Sequence, residues 1–196
     1  MRLSLAQPQG RLFWGQAVLV ACCLFYVCFW RAAFHPYRSA AVPFGGKAAL
    51  FLCTLLCGIG GVALTVSGIS LVGKKPVSQA LLVVGGAAAY VVLLLLTTLL
   101  WKRRVTTELV LLVAWTVLEL SALNALYGAG FFGKGIAALF AGLCAAALLG
   151  GLWCYLRYDQ LPPLPAFFLG YVPLLLDAAV MAGLCAAIFF RARNAI

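Results

Sequence analysis

The sequence predicts an all-α integral membrane protein, with six transmembrane helices in one bundle. Three observations carry this expectation. First, the 196 residues are 66% hydrophobic and 9% charged, against roughly 45–50% and about 25% in ordinary soluble domains, and the mean hydropathy is +1.11. A soluble fold of this length has too little interior to hide so much apolar surface, whereas a lipid-facing exterior removes the conflict. Second, the apolar runs are continuous and long enough to cross the hydrocarbon core, unlike the alternating segments of about ten residues in a membrane β-barrel. Third, the net charge of +10, from 14 Lys and Arg against 4 Asp and Glu, gathers at the ends of those runs, as Lys102-Arg103-Arg104 shows. Cations so placed anchor helix ends to lipid headgroups. The lipid bilayer, not nucleic acid, is the partner they imply.

The elements follow in order. Residues 1–11 are a polar lead-in with Arg2 and Arg11. The run 12–30 exceeds the roughly 7–15 apolar residues of a signal-peptide core, and no small-residue cleavage site follows it, so it reads as span 1. Residues 31–47 form the longest connection. Pro36, Pro43 and Gly45-Gly46 argue there against regular helix, and Phe34, Tyr37 and Phe44 suit the membrane interface. His35, the single histidine, reads as an interfacial loop residue. Span 2, 48–72, holds Gly58, Gly60, Gly61 and Gly68 with Thr54, Thr65, Ser67 and Ser70. Such small residues suit close helix packing, with the lining of a polar cavity as the sharper alternative.

Gly73-Lys74-Lys75-Pro76 makes a tight connection into span 3, 77–101, whose second half, VVLLLLTTLL, reads as lipid-facing. Thr106 and Thr107 precede Glu108 in the manner of a helix start. Glu108 is therefore set aside as a dipole-stabilising acid at the interface. Span 4 is 108–128, and residues 129–134 turn the chain into span 5, 135–156. The alanine and glycine density of span 5 predicts a central, closely packed helix. Arg157 and Asp159 read as a surface pair. Span 6, 166–190, contains Gly170 and Pro173, and a proline there predicts a kink.

Six spans put both termini on one side. The cations divide seven and seven between the two faces, so the positive-inside rule assigns no orientation. Gly46-Lys47 and Leu56-Cys57 recur at the same offset as Gly133-Lys134 and Leu143-Cys144, which raises an arrangement as two inverted three-helix halves. The whole chain, 1–196, is one polytopic domain.

The chemistry of the chain lies in two acids. Glu119 sits near the middle of span 4, and Asp177 at similar depth in span 6, one turn after Pro173. A bare charge at the bilayer centre costs about 2.5–3.5 kcal/mol on insertion scales, so each must be protonated or partnered. No Lys or Arg lies at comparable depth. The neutral candidates are Asn124, Thr116, Tyr90 and Ser67. Stepping along the helix from Glu119 places Trp115 on its face. A pocket of Glu119, Asp177, Asn124 and Trp115, shaped by Pro173, can take a proton, a cation or a cationic substrate. The competing reading has two protonated acids tying helices together.

No catalytic residue, metal or cofactor is expected. Bis-His haem needs a second histidine, and the zinc-protease H-E-x-x-H is absent. The eight cysteines all fall in spans without a C-x-x-C pair and read as small packing residues. The expected role is a small-molecule or ion transporter of the cell membrane, or the membrane subunit of one, as a homo-oligomer or with a partner membrane or ATPase subunit. The alternative is a non-catalytic membrane anchor or assembly subunit of a larger complex. An intramembrane enzyme using the acid pair ranks below both.

Overall fold

The computed structural model describes residues 4–36, 43–73, 76–100, 102 and 107–194. Tyr37, Lys74, Lys75, Trp101, Arg103, Arg104 and Thr106, and the side chains of Thr107 and Asp159, lie outside the described residues, and with them the expected Arg157–Asp159 pair. Helix α1 spans Pro8–Phe34, α2 Phe44–Ser70, α3 Gln79–Leu99, α4 Thr107–Gly128, α5 Lys134–Arg157, α6 Pro163–Leu169 and α7 Val172–Asn194, with a single 3-10 turn at Tyr158–Gln160. No strand occurs among the described residues. Helices α1 to α5, and α6 with α7 taken together, are each long and apolar enough to cross a bilayer. The chain is a multi-pass, all-α membrane protein.

Two elements begin differently from the sequence reading, and proline chemistry explains both. Gly45-Gly46 do not break the chain but lie in the first turn of α2. Pro43, extended at φ −63° and ψ 153°, offers its carbonyl to the amides of Gly46 at 3.0 Å and Lys47 at 3.3 Å, and so starts the helix. In the last span the expected kink is a full break. Pro173 has no N–H to give the carbonyl of Leu169, and its ring crowds that oxygen. Helix α6 therefore ends at Leu169 and α7 starts afresh at Val172. Pro173 then sits in the first turn of α7, where a missing amide costs nothing.

Packing follows residue size. Helices α1 and α2 form the most intimate pair, because glycines on one face meet bulk on the other. A Cβ on Gly61 would stand 2.7 Å from the side chain of Leu19, and one on Gly68 would stand 2.9 Å from Leu12. A Cβ on Gly15 would strike the Thr65 hydroxyl and lie 2.8 Å from the Thr65 amide nitrogen. Small residues at such spacing let backbones approach where lipid offers no hydrophobic drive to associate. The α1 end is fastened to α6 by the Trp30 indole, which donates to the Phe167 carbonyl at 3.2 Å.

The central helix is α4, not the alanine-rich α5: 56% of α4's apolar window is buried, against 22% in α5. Small residues permit close packing on whichever side a neighbour stands, but they do not place the helix at the centre. Helix α3 lies at the edge. It packs chiefly on α4, only Thr97 is buried, and both its halves face outward. Its counterpart under an inverted repeat, α7, packs on both α1 and α5, so the two halves are not packed alike.

Candidate functional site

Both mid-membrane acids fall on the buried stripes of their helices. On α7 the buried positions Asp177, Met181, Leu184, Ile188 and Ala192 recur every three or four residues, one face of a helix. On α4, Leu109, Leu112, Thr116, Glu119, Leu123 and Leu126 do the same. Glu119 is 2% exposed and Asp177 6%. The two carboxyls lie near enough for their charges to act on one another. The Cys144 thiol of α5 is within hydrogen-bonding reach of Glu119, and Cys23 of α1 is close to both acids. Residues of four helices, α1, α4, α5 and α7, thus lie within interaction range of Glu119.

Of the neutral partners expected for the acids, none fills that role among the described residues. Thr116 donates to its own Leu112 carbonyl at 2.9 Å, and Ser67 to that of Leu64 at 2.9 Å. Tyr90 is on the peripheral α3. Asn124 is spent elsewhere: its side chain donates to the Val77 carbonyl at 2.7 Å and accepts from the Val77 amide at 3.1 Å, which fixes the approach to α3. One Glu119 oxygen, Oε1, is buried with no hydrogen-bond partner. Asp177 makes no side-chain hydrogen bond to another described residue.

Beside Asp177 lies a cavity of about 820 Å³ between α1 and α2 on one side and α4, α5 and α7 on the other. Trp115, Pro173 and Asp177 line it; Glu119 and Asn124 do not. The expected pocket is thus divided, with Asp177 at the cavity, Glu119 buried near it and Asn124 apart. The cavity begins at the membrane face where α4 starts, with Glu108, Tyr26, Trp30 and Tyr158 around it. Asp177 lies about 8 Å along α7 from its first residue, at 1.5 Å per residue. The lining is overwhelmingly apolar and aromatic, with no Lys or Arg among the described residues. Volume and lining match those of small-molecule sites, which run to roughly 300–1,000 Å³ with a few placed polar groups. A second depression of about 420 Å³ shares Trp30 and Tyr158 at the same face.

Three residues outside the expected site, Glu108, Gln16 and Thr65, stand out in the structure. Glu108, set aside as a helix-start acid, is an exposed residue at the cavity. Among the described residues, the fully buried Gln16 finds no partner for either amide atom, and the buried Thr65 hydroxyl and Trp115 indole N–H find none either. An unpaired buried polar group costs roughly 1–3 kcal/mol, so these are exceptional positions. Gln16 was visible in principle: with Leu12, Leu19 and Cys23 it keeps a spacing of three to four along α1, which puts an amide on the buried stripe. Thr65 was noted only among several hydroxyls. Thiols behave as expected, with Cys22 donating to the Thr54 carbonyl at 3.3 Å and Cys185 to that of Phe13 at 3.5 Å. No family model, curated protein or solved structure matches the chain.

Proposed function

We propose that this protein is a small transporter of the cell membrane, or the membrane subunit of one, and that Asp177 binds the cationic cargo or coupling ion while Glu119 serves as its buried neighbour. The observation that supports this most is Asp177 itself, an acid nearly closed off from solvent yet lining an 820 Å³ cavity that reaches it from one membrane face. A carboxyl kept at mid-membrane is costly, and such residues mark ion and substrate paths more often than they mark packing. The break between α6 and α7 just before it supports the same reading, since interrupted helices surround many transport sites. Trp115 also lines the cavity. A homo-oligomer, or a partner membrane or ATPase subunit, belongs to this reading.

The second reading is an anchor or assembly subunit. What favours it is Glu119, which is outside the cavity and has a thiol as its neighbour. There the acids lock α4, α5 and α7 together. Flux into proteoliposomes separates the two. The transporter reading expects cation or proton-coupled flux in the wild type and its loss in Asp177→Asn. Flux unchanged in both Asp177→Asn and Glu119→Gln, with both proteins folded, removes it.

A further inference from the structure

The depression and the cavity are neighbours, and the same side chains stand between them. Trp30 and Tyr158 line both hollows. Helix α6 divides its residues between the two. Pro163, Ala166 and Phe167 are on the wall of the 420 Å³ depression, while Leu169 and the following Gly170 are on that of the 820 Å³ cavity. The partition therefore consists of α6, the 3-10 turn before it and one ring of α1.

This partition is lightly built. Helix α6 has seven residues, too few for a helix to hold by itself. Its backbone packs mainly on its own sequence neighbours, the 3-10 turn and α7. Phe167 is in its last turn, where carbonyls have no following helical amide to bond. The break before Pro173 thus leaves the Phe167 carbonyl to the Trp30 indole, which donates to it at 3.2 Å. The His35 ring adds an edge-on contact with Phe167 at 5.0 Å. Gly170 lets the Trp30 ring lie against the break: a Cβ there would stand 2.8 Å from that ring and 3.2 Å from the ring of Tyr158. One neutral hydrogen bond is modest in net terms, so the indole is fastened in a way that can be made and broken.

We propose that Trp30 and α6 form a gate between the depression and the Asp177 cavity. With the indole on Phe167 the two hollows are separate. When the indole lets go, α6 turns about its two ends, residues 162–163 and 170–171, and the hollows join into one passage from the membrane face to Asp177. Short elements of low stability are the usual movers at binding sites, and their hinges are a few residues at element ends. The gate regulates the site of the transporter reading and rests on that reading for the importance of Asp177 alone.

The test is access, not flux, and Cys154 reports it. Cys154 lines the cavity, is buried, and comes one turn before Tyr158 in the chain. The protein in lipid nanodiscs is treated with methyl methanethiosulfonate, and the thiomethyl group transferred to each cysteine is followed by peptide mass. Cys185, which bonds the Phe13 carbonyl and does not line the cavity, is the control. Labelling of Cys154 is expected to quicken at least tenfold in Trp30→Ala, which removes ring and bond, and several-fold in Trp30→Phe, which removes the bond alone, with Cys185 unchanged. Gly170→Ala, which crowds the ring off its seat, should act in the same direction. Should Trp30→Ala fail to fold, Trp30→Phe and Gly170→Ala carry the same test. Unchanged labelling of Cys154 in these variants overturns the inference. Equal acceleration at Cys154 and Cys185 overturns it too, since the whole bundle has then loosened. Trp30-dependent labelling with no flux in the wild type upholds the gate and removes the transporter reading. Flux lost in Asp177→Asn, with labelling indifferent to Trp30, does the reverse.

Discussion

Asn124 holds Val77 by both sides of its peptide: the amide nitrogen of the side chain donates to the Val77 carbonyl at 2.7 Å, and its oxygen accepts from the Val77 N–H at 3.1 Å. Val77 is two residues before α3 begins, so this pair sets where the most peripheral helix leaves the connection. Asn124→Ala removes both bonds at a site where the side chain is 9% exposed. A loss of about 1–3 kcal/mol is expected, read as a lower thermal midpoint in detergent, with Asn124→Asp in between because it keeps only the acceptor. An unchanged midpoint together with altered cargo affinity would return Asn124 to the pocket.

The α1–α2 contact tolerates no added carbon at Gly15, since a Cβ there meets the Thr65 backbone at 2.8 Å and backbone cannot swing aside. Gly15→Ala is expected to cost roughly 1–3 kcal/mol, the usual range for overpacking. Gly60, on α2 but with open space around a Cβ, is the contrast. Gly60→Ala should be neutral or stabilising by up to about 1 kcal/mol, through helix propensity alone. Chemical or thermal unfolding of the two variants side by side checks the difference; equal effects would mean the two helices can part at little cost.

Because Asp177 and Glu119 lie within electrostatic reach of each other, their substitutions should not add. A double-mutant cycle of Asp177→Asn and Glu119→Gln is expected to show a coupling of about 0.5–3 kcal/mol in stability, as coupled residues do. Additivity within a few tenths of a kcal/mol would show that the acids act independently despite their proximity.

Trp30 secures the end of α1 to α6 with one indole hydrogen bond to the Phe167 carbonyl and a ring that stacks on Phe167 at 23° and 6.5 Å between centroids. Trp30→Phe keeps a ring and removes the bond. A loss of about 0.5–1.5 kcal/mol is expected, localised as faster amide exchange at Gly170, whose N–H closes α6 on the Ala166 carbonyl. Uniformly faster exchange throughout the bundle would mean the contact supports the whole fold and not this corner.

Six crossings return the chain to the face from which it started. Epitope tags at the two termini should be reached by the same membrane-impermeant antibody in sealed vesicles of one orientation, and a tag inserted between residues 37 and 42 should be reached only from the opposite face. Termini on opposite faces would mean that one of the six apolar segments does not cross.

Hydropathy and length were enough to count the spans and bound them within a few residues, because lipid imposes one rule on every segment: backbone groups must be satisfied within the helix. The same rule hides what comes next. Every helix face is apolar, so periodicity cannot say which face meets lipid and which meets protein. Span 5 was read as central for its alanines, yet α4 holds that place. Glu119 and Asp177 could be singled out from sequence because an acid at mid-depth is an exception on any face. Their approach to one another and the separation of Asn124 from them depended on which helices became neighbours. That was decided by close approaches such as Gly15 on Thr65 and Gly61 on Leu19, contacts between residues some 40 to 50 positions apart that no local pattern records.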